Sequence, residues 1–520
     1  RMPKLYLGFD AGTQSVKVSV YDENLNNLTS QSLPTILRYP NPGWVEMDLD
    51  EFLDITIRCI KRCMEDIKAL GYDPKDIRAV MGDGIICGIA GVNEEGDAIT
   101  PYVNYLDTRT EEDVRYINSL DLDIWNKETG NPQASTMFPA MFARWFLKNS
   151  TKFQQQGVKF MHNAPYILAH LAGLKGKDAF IDWGAMSGWG MGYNVMKKEW
   201  SDEQLEILGI DKRYMPRIVK PWDIIGHLTP EMAERTGLAA GTPICGGAGD
   251  TMQSMIGSGN YEAGKGVDVA GTCAMFCVST KGIIPELSQK GMNLIFNSGS
   301  LPDTYFYWGM IRTGGLALRW FKDSVCHKAN DAVYYTDLSE RAAKVPAGSN
   351  GVLFVPYLTG GQDENAKKCG CFLGLTLEDD QAVMWRSVLE SIGYDYMEIC
   401  DYYRAAGVNL DRITVTEGGS RDSLWNQIKS DMLDAEVVRY KNKGGAVVTN
   451  CLFAAYAAGD VKEIIPELEK ILVVDEEYAP REEKTKLYRE VYGVQKKLIK
   501  EEMNEAFAEL WRVKKILKPE

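Results

Sequence analysis

Two segments far apart in this chain share one design, and that duplication constrains the fold more than any other feature. Residues 5–17 read LYLGFDAGTQSVK, an apolar strand, a small-residue loop and the start of a second strand that runs to Tyr21. Two such strands around a Gly-containing loop are the pattern of a β-hairpin. Residues 267–279, VDVAGTCAMFCVS, repeat strand, Ala-Gly-Thr, strand. A loop of this kind lets backbone N–H groups approach phosphate oxygens closely, and Thr13, Gln14 and Ser15 add side-chain donors. The copies differ at one position that matters chemically: Asp10 in the first stands where Val269 does in the second. A carboxylate is a hard oxygen ligand suited to Mg²⁺, so the first loop can carry metal and the second only phosphate contacts. The repeat predicts two similar lobes, each offering a hairpin to one nucleotide. Taken singly, each segment is equally an ordinary hairpin. Gly418-Gly419-Ser420, after the apolar run 413–415, reads as a third nucleotide-binding turn.

At 520 residues the chain exceeds a single compact core, which predicts two domains. Its net charge of −14, with no basic run, speaks against a nucleic-acid partner. No apolar stretch approaches the roughly 20 residues of a membrane span, and the opening residues enter a strand directly, so neither membrane nor signal peptide is expected. The cysteines are scattered through apolar segments, which points to reduced thiols and a cytoplasmic protein rather than a disulfide framework. Cys369-Gly-Cys371 lacks the spacing of redox or zinc pairs and histidines number only four, so structural zinc is not expected.

Strand-like and helix-like runs alternate, giving an α/β class. Residues 49–70 form an amphipathic helix in this reading, and residues 77–80 a strand leading into Gly82-Asp83-Gly84. Residues 241–249, GTPICGGAG, read as a buried strand turning through glycines into Asp250. The character of the chain restarts after 257. The expected division is therefore a first domain over 1–257, a second over 258–475, and a charged helical tail over 476–520.

Taken together, DAGTQSVK (10–17), GWVEMD (43–48), LDTR (106–109), GGAGDT (246–251), AGTC (270–273), TGG (313–315), GCFLGL (370–375) and EGGSRD (417–422) resemble the FGGY carbohydrate kinases, closest to their xylulokinase branch. The similarity runs over residues 5–459. It implies two actin-like ATPase (ribonuclease H-like) lobes around a central interlobe cleft, with ATP-dependent phosphorylation of a sugar or polyol hydroxyl. Phosphoryl transfer needs mostly positioning and charge neutralisation, with a base for the hydroxyl proton. The resemblance assigns that base to Asp250, which read alone is also a helix N-cap. It gives Mg²⁺ to Asp10, and the phosphate path to Thr13, Gln14, Ser15 and Lys17 from the first lobe. From the second come Gly271, Thr272, Thr313 and Gly314, while Gly419, Ser420 and Ser423 lie near the adenosine.

The sugar side departs from the family pattern. Ile86-Cys87-Gly88 stand where Met-His-Gly is usual, so a histidine donor becomes a weakly bonding thiol. Tyr105-Leu106-Asp107 replaces aromatic-Asn-Asp, keeping Asp107 as an acceptor for a substrate hydroxyl, and Thr251 follows the base where Asn or Gln is common. Phe142, Val383, the loop 360–365 and residues 447–450 also differ. Asp83, beside this wall, either binds substrate or forms a turn, and Trp44 is either near substrate or core. Asp182 precedes a run, GAMSGWGMG, expected to be a packed loop. These changes leave the fold intact, leave the sugar open and speak against D-xylulose. A ketose, sugar acid or alditol kinase is the leading expectation. A glycerol- or erythritol-like polyol kinase and a non-catalytic sugar or nucleotide sensor are the alternatives, and a homodimer is left open.

Overall fold

In a computed structural model of the protein, the described residues are 2–271, 274–311, 314–359, 368–441 and 445–518. Thr272, Thr313 and the loop 360–365, singled out above, lie outside them. The chain folds into two compact units that interleave in sequence. The first takes Arg1–Tyr261, Lys281–Tyr307 and Asn442–Val473; the second takes Glu262–Thr280, Trp308–Lys441 and Val474–Glu520.

In the first unit, β1 (Leu5–Ala11), β2 (Ser15–Asp22) and β3 (Asn27–Pro34) form an antiparallel meander. Beyond β1 the sheet continues through β4 (Ile77–Gly84), β6 (Pro243–Cys245) and β5 (Ile224–His227), with the two-residue β7 (Ala248–Gly249) also on β4. β1 and β4 run parallel, and such central strands are apolar on both faces. Leu5, Leu7 and Phe9 pack with Phe52, Ile60, Cys63 and Ile67 of the helix Leu49–Ala69. On the other face Tyr6 and Met81 pack with Val447 and Cys451 of the helix Gly445–Ala457. Each such Leu or Phe contributes about 1.5–3 kcal/mol on burial.

The helix Leu49–Ala69 starts where Asp48 accepts from the amides of Asp50 (2.7 Å) and Glu51 (3.3 Å), relieving two of its unpaired N–H groups. The helix Gly445–Ala457 lies close on β1 because residue 8 is glycine. A Cβ there would stand 2.9 Å from the Val447 carbonyl oxygen and 3.0 Å from the Cys451 sulfur.

Two local expectations change. Gly82-Asp83-Gly84 is no turn: β4 runs straight through it. Gly82 is there for packing, since a Cβ would fall 2.1 Å from the Phe9 ring. The run after Asp182 opens as a short buried helix, Trp183–Ser187, with Asp182 capping it through the amides of Gly184 and Ala185, and only 188–192 continue as the expected packed loop.

The second unit repeats the hairpin as β8 (Lys265–Ala270) and β9 (Ala274–Thr280). β8 continues in parallel to β10 (Arg412–Thr416) and β11 (Glu436–Tyr440), and β12 (Val474–Tyr478) closes that side antiparallel. Beneath β8, Asp268 is fully buried between Lys429 (2.5 Å) and the Tyr396 hydroxyl (2.5 Å). The tail begins with the helix Glu482–Lys497, whose buried Tyr488 donates to Glu390 of the long helix Gln381–Ala405. Among the described residues no helix is long and apolar enough to cross a membrane. Ten cysteines are described and all are unpaired.

Candidate active site

Three carboxylates of the first unit meet at the ends of three adjacent strands. β1 delivers Asp10 and β4 delivers Asp83 directly beside it in register. Ala248 of β7 pairs with Asp83, and the next turn makes Asp250 the first residue of the helix Asp250–Gly257. The N-cap of that helix is Gly249, so capping does not account for Asp250. Instead one Asp250 oxygen accepts from the Thr251 amide (2.7 Å) and hydroxyl (3.2 Å). Burial and the neighbouring Asp10 push the Asp250 carboxyl up to about 7, near the value that suits a base at neutral pH. Asp83, fully buried, is raised well above the carboxylate range by burial, then by Asp10 and Asp250, against an opposing hydrogen bond from Asn450. Among the described residues, one oxygen of Asp10 and one of Asp83 are buried without a donor. Among the described residues no three His, Cys, Asp or Glu side chains form a ready-made metal cage.

The other Asp83 oxygen accepts from Asn450 Nδ2 at 2.7 Å, and the same amide donates to the Phe9 carbonyl at 2.9 Å. Gln253 Nε2 donates to Asn450 Oδ1 (2.8 Å), and the Ser300 hydroxyl donates to Gln253 Oε1 (2.6 Å). The sequence reading missed this chain of buried groups. Its signal was an amide among apolar neighbours in each of two helices, Gln253 beside Met252, Met255 and Ile256, and Asn450 beside Val447, Cys451 and Leu452.

The first hairpin loop is fixed from outside. Asn163 Nδ2 donates to the Ala11 carbonyl (2.9 Å), Asn104 Nδ2 to the Thr13 hydroxyl (3.4 Å), and the Thr35 hydroxyl to the Thr13 carbonyl (2.5 Å). Thr13 and Ser15 are half-buried and Gln14 is exposed. Lys17 stands opposite Asp10 across the hairpin.

Ile86 and Cys87 form a buried bend between β4 and the strand Gly88–Val92. The bend lies against the Asp250 turn: a Cβ on Gly249 would meet Ile86 at 2.3 Å. Burial and Asp250 push the Cys87 thiol up to about 12, and it donates to the Gly188 carbonyl at 3.7 Å. His162 holds the bend from behind, Nε2 at 3.0 Å from the Ile86 carbonyl, with burial lowering the imidazole to about 4. Tyr102, which the sequence reading did not single out, has a buried hydroxyl with no hydrogen-bond partner among the described residues and feels the charge of Asp250. Tyr105 is half-buried on the same segment.

Asp107, expected to accept from a substrate hydroxyl, has both oxygens engaged within the protein. They take the Val45 amide (2.7 Å), the Arg109 amide (2.8 Å) and the Arg109 guanidinium (2.8 Å). Arg109 also pairs with Glu46 (2.8 Å) and lies 3.8 Å over the Trp44 ring and 4.9 Å over Trp145. GWVEMD and LDTR thus form one braced unit, and Trp44 belongs to it.

In the second unit, Ala270 and Ala274 flank the hairpin turn, and glycines crowd both. A Cβ on Gly314 would stand 2.5 Å from Ala274, and one on Gly419 2.8 Å from Ala270. Gly271, Gly314 and Gly419 are therefore brought together. Ser420 and Ser423 turn their hydroxyls to internal partners, the Glu417 carbonyl (2.6 Å) and Glu476 (3.3 Å). Beside them Glu417 holds a left-handed backbone, φ 67°, which is uncommon outside glycine.

Residues 5–257 match the N-terminal domain, and residues 267–458 the C-terminal domain, of the FGGY family of carbohydrate kinases. A xylulose kinase of Staphylococcus epidermidis is 25% identical over 508 residues, covering 96% of this chain and 97% of its own. A gluconokinase of Bacillus subtilis is 25% identical over 498 residues, covering 94% of each. The crystal structure of xylulose kinase from Rhodospirillum rubrum superposes with a TM-score of 0.87 at 21% identity, covering 97% of this chain and all of its own. The fold is α/β and that of the actin-like ATPases. With both domains matched in order over most of its length, the chain belongs to the FGGY family of carbohydrate kinases.

Proposed function

We propose that this kinase transfers the γ-phosphoryl group of ATP to a hydroxyl of a ketose, sugar acid or alditol, with Asp250 as the base. The observation that carries the reading is Asp250 itself, at the end of β7 with a carboxyl near 7 and one oxygen already aligned by Thr251. As the sugar oxygen bonds to the γ-phosphorus and ADP leaves, the hydroxyl proton passes to this carboxylate. A base so placed contributes about 10²–10⁴-fold.

The donor-free oxygen of Asp10 is the kind a hard divalent cation takes, so Asp10 fits Mg²⁺. Bound there, Mg²⁺ supplies charge neutralisation at the phosphates. Gly12, Thr13, Gln14, Ser15 and Lys17 offer phosphate contacts in the first unit. Gly271, Thr272, Thr313 and Gly314 do so in the second, and Gly419 with Ser420 and Ser423 borders the adenosine. Ile86, Cys87, Tyr105 and Thr251 contact the sugar, with the Tyr102 hydroxyl as an added candidate. The unpaired thiols support a reducing, cytoplasmic setting.

The test is ADP release measured against a panel of ketoses, sugar acids and polyols, for the wild type and Asp250→Asn. Sugar-dependent turnover that collapses in the variant, with ATP affinity kept, supports the proposal. Turnover unchanged in Asp250→Asn overturns the base, and no response to any sugar points to a sensor.

A further inference from the structure

We propose that Asp83 is a second protein ligand of the divalent cation, beside Asp10, and that Asn450 holds it in that role. The inference rests on the kinase reading and adds to it a residue that the local sequence left between substrate contact and turn.

Three observations carry it. Asp83 is the direct parallel neighbour of Asp10, so both side chains leave the sheet on one face. The Asp83 side chain is fully buried, and among the described residues one of its oxygens and one of Asp10 meet no donor. The acidic groups acting on it are Asp10 and Asp250. An uncompensated buried carboxylate is costly, and a like-charged neighbour adds to that cost. A divalent cation relieves both, and Mg²⁺ is ordinarily held by one or two carboxylates with water and phosphate completing its shell.

The third observation is orientation. Asn450 occupies the remaining Asp83 oxygen at 2.7 Å, and Gln253 and Ser300 lock that amide in turn. The amide cannot turn its donor away without breaking bonds to Phe9 and Gln253. Asp83 is therefore tethered by one oxygen, while the other turns to the Asp10 carboxyl, as an outer partner orients a metal-binding carboxylate.

The competing role is a hydrogen bond from Asp83 to Asp10 with no metal contact. Asp83→Asn keeps a donor and loses the anionic ligand, so it separates the two. The experiment titrates the full chain with Mn²⁺ alone and reads free Mn²⁺ by electron paramagnetic resonance, without nucleotide or sugar. The wild type is expected to bind one Mn²⁺ displaceable by Mg²⁺. Asp83→Asn, Asp83→Ser and Asp10→Asn should each weaken it about ten-fold or more, a loss seen even for outer partners of metal ligands. Wild-type affinity in Asp83→Asn, or no Mn²⁺ site in the wild type, overturns the proposal. Should both Asp83 variants fail to fold, the infrared carboxylate bands of the wild type decide. Two carboxylates shifting on Mg²⁺ addition support it and one overturns it. Sugar turnover with undiminished Mn²⁺ binding in Asp83→Asn sinks this inference and leaves the kinase reading. A Mn²⁺ site lost in Asp83→Asn, with no sugar turned over by the wild type, does the reverse.

Discussion

Asn450 donates to the carboxylate of Asp83 at 2.7 Å across 367 positions of sequence, and to the Phe9 carbonyl at 2.9 Å. Asn450→Ala strands two buried groups, the Asp83 oxygen and the Gln253 amide, and removes a second donor from the Phe9 carbonyl. An orphaned buried group costs about 1–3 kcal/mol, so the variant should lose several kcal/mol. The midpoint of urea unfolding should fall with its slope unchanged.

Asp250 makes the activity and the stability respond to pH in opposite senses. As a base it must be ionised, so kcat/KM should fall about ten-fold per pH unit below its value near 7. For stability, a folded pKa raised above the unfolded one means that the folded protein holds the proton more tightly. That stabilisation is complete below about pH 4 and is lost as pH rises through 7. In metal-free protein, Asp250→Asn should therefore melt higher than wild type at pH 8 and no higher at pH 4, by thermal scans at both.

Among the described residues Arg109 is the one counter-charge paired with the buried Asp107, and it is itself pinned on Trp44 and Trp145. Arg109→Met leaves that carboxylate uncompensated, at a cost of about 3–5 kcal/mol. Arg109→Lys should recover little, because an ammonium cannot fork to the carboxylate and stack at once. Chemical denaturation of both variants checks this.

His162 has its pKa lowered to about 4 from an ordinary 6.5, so the folded protein resists protonating it. Its contribution is present above pH 6.5 and lost as pH falls to 4, amounting to about 3 kcal/mol at 1.36 kcal/mol per unit. His162→Gln retains a donor for the Ile86 carbonyl and cannot titrate. Stability measured from pH 7 to 4 should fall less steeply in that variant.

Much of this was legible in the chain, for physical reasons that can be named. The hairpins announced themselves because strand, small loop and strand are local in sequence, and the family resemblance was borne out over both domains. The helix Leu49–Ala69 was legible from its apolar period. Gly82 misled because glycine is punctuation in a turn and also a concession to a neighbouring ring, here Phe9. Asp107 looked free because the Val45 amide lies far away in sequence and no spacing rule shows that the Arg109 side chain folds back onto it. Asn450 and Gln253 were invisible as a pair because no spacing rule joins helices whose partners stand 197 residues apart.

The seat that Gly8 provides for the helix Gly445–Ala457 bears on how the protein is made. When β1 leaves the ribosome, the segment that must cover one side of it is still hundreds of codons from translation. Until that segment arrives, the nascent sheet shows bare Tyr6 and Met81, a surface for chaperones to shield. A gene product cut short before residue 445 keeps the acidic strand ends and lacks the lid that makes them a folded body.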